Sequence, residues 1–422
     1  MNRNVPPSPT AKQEIYGLVE RLERAHEVNR AAINLVPSEN RISPLVERSM
    51  RLDFYNRYFF NDDLSADFWW YRGGESVGDI QSSGTAALAR LAGADHVNVR
   101  PVSGMTAMLV VLLGLGGSAG SPVVSVAAAS GGHYATAALL ERIGRQSRAI
   151  GQHAGHIDTD ALRKVLTSEE VPLVYLDLQN TLHELDVRQV VDVVRECSPG
   201  TRVHVDCSHT LGLILGGAHA NPLDAGADSM GGSTHKSFPG PQKGVLFTRD
   251  AQVAEDLRGA QYHSISSHHF AATLGLSVAA AEYEVFGQAY AAKVLRNAQA
   301  LGTALERHGF EPIKERSVIT RTHQLWLSVG TDEQATDFSA ALASAGLRAN
   351  LLPDIPGATG LAMRLGVNEV TFEGADEQSM AELADIFALV RDGHIDQAVK
   401  MREALKYGFG EPYYFQDASD PR

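Results

Sequence analysis

Cysteine, tryptophan and long apolar runs are all scarce in this sequence. Its 422 residues hold two cysteines and three tryptophans. Cys197 and Cys207 form no CxxC pair, so neither a disulfide framework nor a cysteine-rich zinc site is expected, and no other metal ligand set is read in the chain. The most apolar stretch, Met105 to Leu115, is followed at once by Gly116 and Gly117. It falls well short of the roughly 20 residues that span a bilayer, so no membrane partner is expected. The first residues, MNRNVPPSPT, lack the apolar core of a secretory signal, and a reducing cytoplasm is the expected location. Basic residues are also in deficit: 37 Lys and Arg against 50 Asp and Glu leave a net charge of -13. That balance suits neither a nucleic-acid backbone nor an anionic bilayer, so nucleic acid is not an expected partner. A 44% hydrophobic and 21% charged composition is that of a soluble globular chain, long enough for one large core and a smaller one.

Residues 12 to 32 place Ile15, Leu18, Val19, Leu22 and Ala25 at helical spacing, the pattern of an amphipathic docking helix. From about Val97 to Asp250, short β-branched runs alternate with helix-length segments. Examples are Val123 to Val126, Val171 to Leu178 and Val203 to Val205, against Thr159 to Leu166 and Val187 to Glu196. The alternation predicts an α/β fold with a mostly parallel sheet flanked by helices, and the unbroken apolar runs predict strands covered on both faces. Residues 270 to 307 read as one long linking helix in which Gly287 is the strongest breaker. The expected organisation is an arm and docking helix over 1–35, a large domain over 36–285 and a smaller α/β C-terminal domain over 286–422.

Four local features carry chemistry. Lys236 sits among hydroxyl-bearing and Gly/Pro neighbours after a βα region, where a shielded amine can become a nucleophile; a solvated surface lysine is the plain alternative. Asp206 ends the strand Arg202 to Val205, where α/β sheets bind ligands, or else caps the next turn. Ser103, Gly104 and Met105 open an apolar helix whose N-terminus suits a phosphate. His133 follows two glycines and offers an imidazole, or simply packs. Together, a Schiff-base lysine, an aspartate for a ring nitrogen, a phosphate-binding helix start and a stacking histidine point to pyridoxal 5'-phosphate (PLP).

With these residues in order, the chain resembles the serine hydroxymethyltransferases and their PLP-dependent fold-type-I relatives from about Asn34 to Gly374. The matches are Asn34-Leu35-Val36-Pro37-Ser38-Glu39-Asn40, Gly93-Ala94-Asp95-His96-Val97-Asn98-Val99, Ser103-Gly104, Gly131-Gly132-His133, Asp206-Cys207-Ser208-His209, Asn221-Pro222-Leu223, Thr234-His235-Lys236 and Arg364-Leu365-Gly366. The resemblance implies that Lys236 binds the cofactor, with Thr234 beside it, that Asp206 pairs with its ring nitrogen and that His133 stacks on the ring. It also implies that His209 lies near the phenolic oxygen, that Ser103, Gly104 and Met105 hold the phosphate, and that Ser38 and Arg364 receive a substrate carboxylate. Tyr55 is expected to reach a neighbouring subunit's site, which implies a homodimer with active sites at the interface.

The departures shape the expected reaction. Arg57 stands where the family has a catalytic glutamate, Tyr71-Arg72 replaces a Tyr-Tyr pair, and a loop with Trp69 and Trp70 precedes it. A glycine-rich loop expected near Gly259 to Ser264 has lost most of its glycines. These changes fall in the folate region, while Thr234 to Gly244, Phe286 to Ala292 and His323-Gln324 look closer to threonine transaldolases. The expected activity is therefore folate-independent aldol-type transfer at Cα–Cβ of an amino acid, through a quinonoid intermediate, to an aldehyde. Trp70 and Tyr71, with Tyr55 and Arg57, are the expected contacts to that second substrate. Two alternatives stand beside it: β-elimination or decarboxylation of an S-substituted cysteine conjugate in secondary metabolism, and a non-catalytic PLP-binding protein.

Overall fold

The computed structural model describes residues 9–58, 73–75 and 77–416; Trp69, Trp70 and Tyr71 lie outside them. The main sheet has seven strands: β1 (His96–Asn98), β2 (Pro122–Val126), β3 (Gln146–Ile150), β4 (Leu173–Asp177), β5 (Arg202–Asp206), β6 (Ser229–Ser233) and β7 (Gly244–Thr248). Their order is β1-β7-β6-β5-β4-β2-β3. Only β7 runs antiparallel to its neighbours, so the sheet is mostly parallel, as the pattern predicts. Burial on both faces explains the unbroken apolar runs. Val174 and Leu176 of β4 enter one core while Leu173 and Tyr175 enter another, which also takes in the helices α1 (Gly104–Leu115) and, further along the chain, residues 251–264.

Helix α2 (Thr136–Arg142) follows β2, and α3 (Ala251–Ser264) follows β7. Here the structure differs from the sequence reading: Gly259 to Ser264 are helical, because the Asp250 carboxylate accepts from Gln252 N and Val253 N and starts a helix that runs on to Ser264. The turn comes later, at residues 265–269, where His269 adopts a left-handed φ of 53°.

The linking helix α4 (Phe270–Arg307) is continuous over 38 residues. Its first half packs on the helix Gly78–Ala92 through Ser277 and the Glu284–Arg90 ion pair. Its second half holds the C-terminal part through Lys293–Glu377 and Asn297. The domain boundary expected at residue 285 thus lies inside one helix. The second sheet is antiparallel, β8 (Glu311–Pro312), β9 (Gln324–Ser328), β10 (Asn350–Leu352) and β11 (Ala362–Gly366), in the order β8-β9-β11-β10. The N-terminal helix, Pro9–Ala31, keeps its apolar stripe in solvent in the single chain, with Ile15, Leu18, Val19 and Leu22 all exposed. No helix among the described residues is long and apolar enough to cross a membrane.

Gly287 does not break α4, because its missing side chain makes room for the Tyr283 ring: a Cβ there would lie 2.5 Å from Tyr283 Cδ1. That ring is buried, and its hydroxyl donates to Gly212 O at 2.5 Å, so it cannot yield. Alanine would gain about 1 kcal/mol of helix propensity, but overpacking a fixed aromatic costs about 1–3 kcal/mol. Gly287→Ala is therefore expected to lower stability by about 1 kcal/mol in denaturant unfolding; an increase would show that the Tyr283 ring is free to move.

Candidate active site

Strands β4 and β5 end side by side, Asp177 in register with Asp206, at the sheet edge where α/β folds gather ligands. Strand β6 ends at Ser233, and the next turn carries His235 and Lys236. Gly232, at φ 143°, sits beneath Asp206, and a Cβ there would be 2.8 Å from Asp206 Oδ1 and 2.5 Å from Ser208 Oγ. The Thr234 hydroxyl donates to Pro241 O at 2.6 Å and accepts from Lys243 N at 3.1 Å. It is fully buried and shapes the lysine's loop, outside the set of cavity-lining residues. At the start of α1, Ser103 Oγ accepts from Thr106 N at 3.2 Å, and Thr106 Oγ1 accepts from Ser103 N at 2.8 Å. This cap leaves the N–H groups of Gly104 and Met105 without intrahelical acceptors.

These elements enclose a cavity of about 180 Å³ lined by Ser103, Gly104, Met105, His133, Asp206, His209 and Lys236, together with Asp177, Gln179, Ser208, His235 and Gln242. A larger hollow of about 420 Å³ lies at the sheet edge between β1 and α3. It gathers no comparable set of groups, and its Arg258 already pairs with Glu255 at 2.5 Å.

Asp206 is held by two donors, Tyr175 OH to Oδ2 at 2.6 Å and Ser208 N to Oδ1 at 2.9 Å, and such donors favour a charged carboxylate. Burial lowers the Lys236 pKa to about 8, with Asp206 opposing and Arg364 adding to the fall. The amine stays mostly charged at pH 7, but its neutral, nucleophilic fraction is far larger than that of an ordinary lysine. The surrounding histidines are kept neutral, chiefly by burial: His133 is lowered, His209 lies well below its usual value, and His235 falls to about 4. Trp326 Nε1 donates to Gln324 Oε1 at 3.3 Å, which turns the Gln324 amide N–H toward His209 Nδ1, also at 3.3 Å. A neutral His209 accepting at Nδ1 carries its proton on Nε2, ready to donate.

Arg364 on β11 is buried, and its Nη1 donates to Asn180 Oδ1 at 2.8 Å and to Gln179 O at 3.3 Å. Its Nε has no partner, and no carboxylate pairs with it among the described residues. Burial lowers its pKa to about 10. A buried guanidinium bonded only to neutral groups is incomplete without an anion, and a carboxylate fits its fork. Ser38 is half-buried on a segment that reaches the site at both ends: Leu35 O accepts from Gly366 N at 2.7 Å, and Asn40 Nδ2 donates to Lys236 O at 2.7 Å.

The cavity does not gather every expected residue. Tyr55 is 62% exposed, with its ring edge-on to His269 at 6.3 Å, and Arg57 is exposed and paired with Asp53 at 2.6 Å. Neither lines the cavity of its own chain. Sequence reasoning passes over Asp177, Gln179 and Asn180, and reads Gln324 only within the His323-Gln324 likeness, with no role in the site. A signal for Asp177 is present, since Val174-Tyr175-Leu176-Asp177 ends a buried strand as Val203-His204-Val205-Asp206 does.

The donors present fit PLP: an amine that is partly neutral, a doubly held carboxylate at the end of β5, a capped helix with free N–H groups for a phosphate, and a neutral imidazole with a proton to give. The serine hydroxymethyltransferase family model matches residues 11–387. A Streptomyces sp. protein named L-threonine:uridine-5'-aldehyde transaldolase is 48% identical, over 96% of this chain and 99% of its own. One of the same name from an Amycolatopsis sp. is 46% identical, over 97% and 99%. The serine hydroxymethyltransferase of Methanobrevibacter smithii is 32% identical, over 88% and 89%. Among solved structures, L-threonine transaldolase from Pseudomonas fluorescens in its internal aldimine state superimposes with a TM-score of 0.85 at 27% identity, covering 96% of this chain and 93% of that one. The cofactor is PLP, the fold is fold type I, and the enzyme is a PLP-dependent transferase of the folate-independent, aldol-type branch. With both the lysine, aspartate and arginine set and near full-length matches in agreement, the chain belongs to the serine hydroxymethyltransferase family.

Proposed function

We propose that this enzyme moves the glycyl part of L-threonine onto a nucleoside 5'-aldehyde, releasing acetaldehyde and leaving a new β-hydroxy-α-amino acid joined to the sugar. The near full-length likeness to the two uridine-5'-aldehyde transaldolases carries the reading. The buried, carboxylate-free Arg364, near enough to help lower the Lys236 pKa, also supports it. PLP supplies an electron sink for the charge left at Cα when the Cα–Cβ bond opens. Arg364 would take the amino-acid carboxylate and so orient the bonds at Cα. Asp206, held by Tyr175 and Ser208, keeps a proton on the ring nitrogen. His209 would donate from Nε2, and the minor neutral form of Lys236 would supply the attacking amine. The buried, neutral imidazoles of His133, His209 and His235 would limit stray proton transfer beside the bound substrate. β-Elimination and a purely binding role have no observation of their own to support them.

We further propose that the working unit is a homodimer in the cytoplasm. The exposed apolar stripe on the N-terminal helix and the outward-facing Tyr55, both remote from the chain's own cavity, are surfaces a second copy would cover.

Three results test this reading. Threonine with uridine-5'-aldehyde is expected to release acetaldehyde and yield the adduct by mass spectrometry; turnover of serine with tetrahydrofolate, and none with threonine, would overturn it. Arg364→Lys is expected to keep the visible absorbance of lysine-bound cofactor but lose about 2 kcal/mol in kcat/KM for threonine, roughly thirtyfold, mostly in KM. The rate at which added PLP reconstitutes stripped enzyme is expected to rise with pH and level off above about 8, because Lys236 must be neutral to attack. A flat profile across that region, from about one unit below to one above, would remove that assignment.

A further inference from the structure

The floor of the cavity holds a second carboxyl, Asp177, for which the reaction has so far supplied no use. It is 2% exposed, lines the cavity, and lies in register with Asp206 on the neighbouring strand. One of its oxygens, Oδ2, meets the Thr136 hydroxyl at the start of α2, while Oδ1 is buried with no hydrogen-bond partner. Two charged carboxylates side by side in so small a buried space disfavour each other, and among the described residues no cation pairs with Asp177.

We propose that Asp177 is a positioning residue, a neutral carboxyl latch that fixes the turn carrying His133 against the end of β4 and leaves Asp206 as the single charged carboxylate of the cavity floor. The turn is pinned at both ends. Gly131 O accepts from Gln179 N at 2.9 Å and from Asn180 N at 3.0 Å, just beyond Asp177 on the same chain segment. On the other side of His133, Thr136 N donates to His133 O at 3.2 Å, and the Thr136 side chain meets Asp177. His133 is thus held between two attachments to one strand end.

The proton fits the geometry. A protonated Oδ2 donates to Thr136 Oγ1, and the Thr136 hydroxyl is then free to turn to Met108 Sδ, 3.9 Å away. The remaining carbonyl, Oδ1, accounts for the one oxygen without a donor. Opposing influences act on the carboxyl. Burial, the largest, raises its pKa; the Thr136 hydroxyl lowers it; Asp206 raises it; and the His133 N–H lowers it, although it forms no hydrogen bond to Oδ1. The outcome is a carboxyl moved from 3.8 to about 8. Tyr175, on the same strand, spends its hydroxyl on Asp206.

The sign for stability follows. From its ordinary value of 3.8 up to about 8, the folded chain holds a proton on Asp177 that the unfolded chain has released, so stability falls as pH rises through that window. The Asp177→Asn variant would carry no such proton, yet its amide N–H can still donate to Thr136.

The test compares full-length wild type, Asp177→Asn, Asp177→Ala and Thr136→Val for PLP affinity near neutral pH and for thermal midpoint across the pH range in which Asp177 titrates. Asp177→Asn is expected to hold PLP within about threefold of wild type, and to gain in midpoint over wild type as pH rises toward about 8. Asp177→Ala and Thr136→Val are expected to bind PLP about tenfold more weakly, the loss of one buried hydrogen bond. If asparagine weakens PLP binding as much as alanine does, or if its midpoint runs parallel to wild type across the range, the latch is overturned. Should alanine fail to fold, Thr136→Val carries the comparison. The inference rests on the cofactor assignment, whose own failure would show separately, as wild-type enzyme that develops no visible absorbance with PLP.

Discussion

The end of β4 is the joint on which the site hangs. Residues 177 to 180 leave the sheet beside Asp206 and then hand out their polar groups in three directions. Gln179 N and Asn180 N tie down Gly131 and the His133 turn. Gln179 O and Asn180 Oδ1 hold Arg364 from the second sheet. Gln179 O also accepts from Gln324, the amide that sets the tautomer of His209. This one short segment therefore fixes the relative places of His133, Arg364 and His209. Placing them at a strand end matters, because hydrogen-bonded sheet backbone moves far less than a surface loop.

The same joint organises charge. Lys236 and Arg364 are both buried cations, and Asp206 is the one carboxylate with two donors beside them. Each cation lowers the lysine or histidine proton affinities around it, and together with burial this leaves the site with neutral imidazoles and a lysine near 8. An anionic cofactor and a substrate carboxylate complete that balance. The excess of acidic residues over the whole chain has no part in it: the acidic groups that pair at the surface, such as Glu284, Glu169 and Glu196, are far more exposed than the cavity floor.

How much of this is legible in the sequence depends on whether a residue's role is local. The sheet is readable because strands covered on both faces leave unbroken apolar runs, and α4 is readable because its spacing survives Gly287. Lys236, Asp206 and the Ser103 cap stand at element ends, so their surroundings can be inferred from their neighbours. Arg364 needs the family resemblance, since nothing in Met363-Arg364-Leu365 says which cavity a distant strand will face. The roles of Gln179, Asn180 and Gln324 are hidden for a related reason: the bonds from Gln324 to Gln179 and from Arg364 to Asn180 span more than a hundred residues. The helical Gly259 to Ser264 shows the opposite error. The family's loop is expected there, while the stronger local signal is the Asp250 cap upstream.

These differences divide the enzyme into two parts with different constraints. The cofactor half is built from strand ends, close backbone approach at Gly232 and buried hydrogen bonds, where one added methyl group meets Asp206 or Ser208. Such a half tolerates little change, so it stays recognisable in relatives whose second substrates differ. Tyr55 and Arg57 face outward instead, and no buried network restrains them. Change there costs little stability. A fold-type-I scaffold of this kind can therefore hold its buried cofactor set fixed while outward-facing positions change at little cost to the fold.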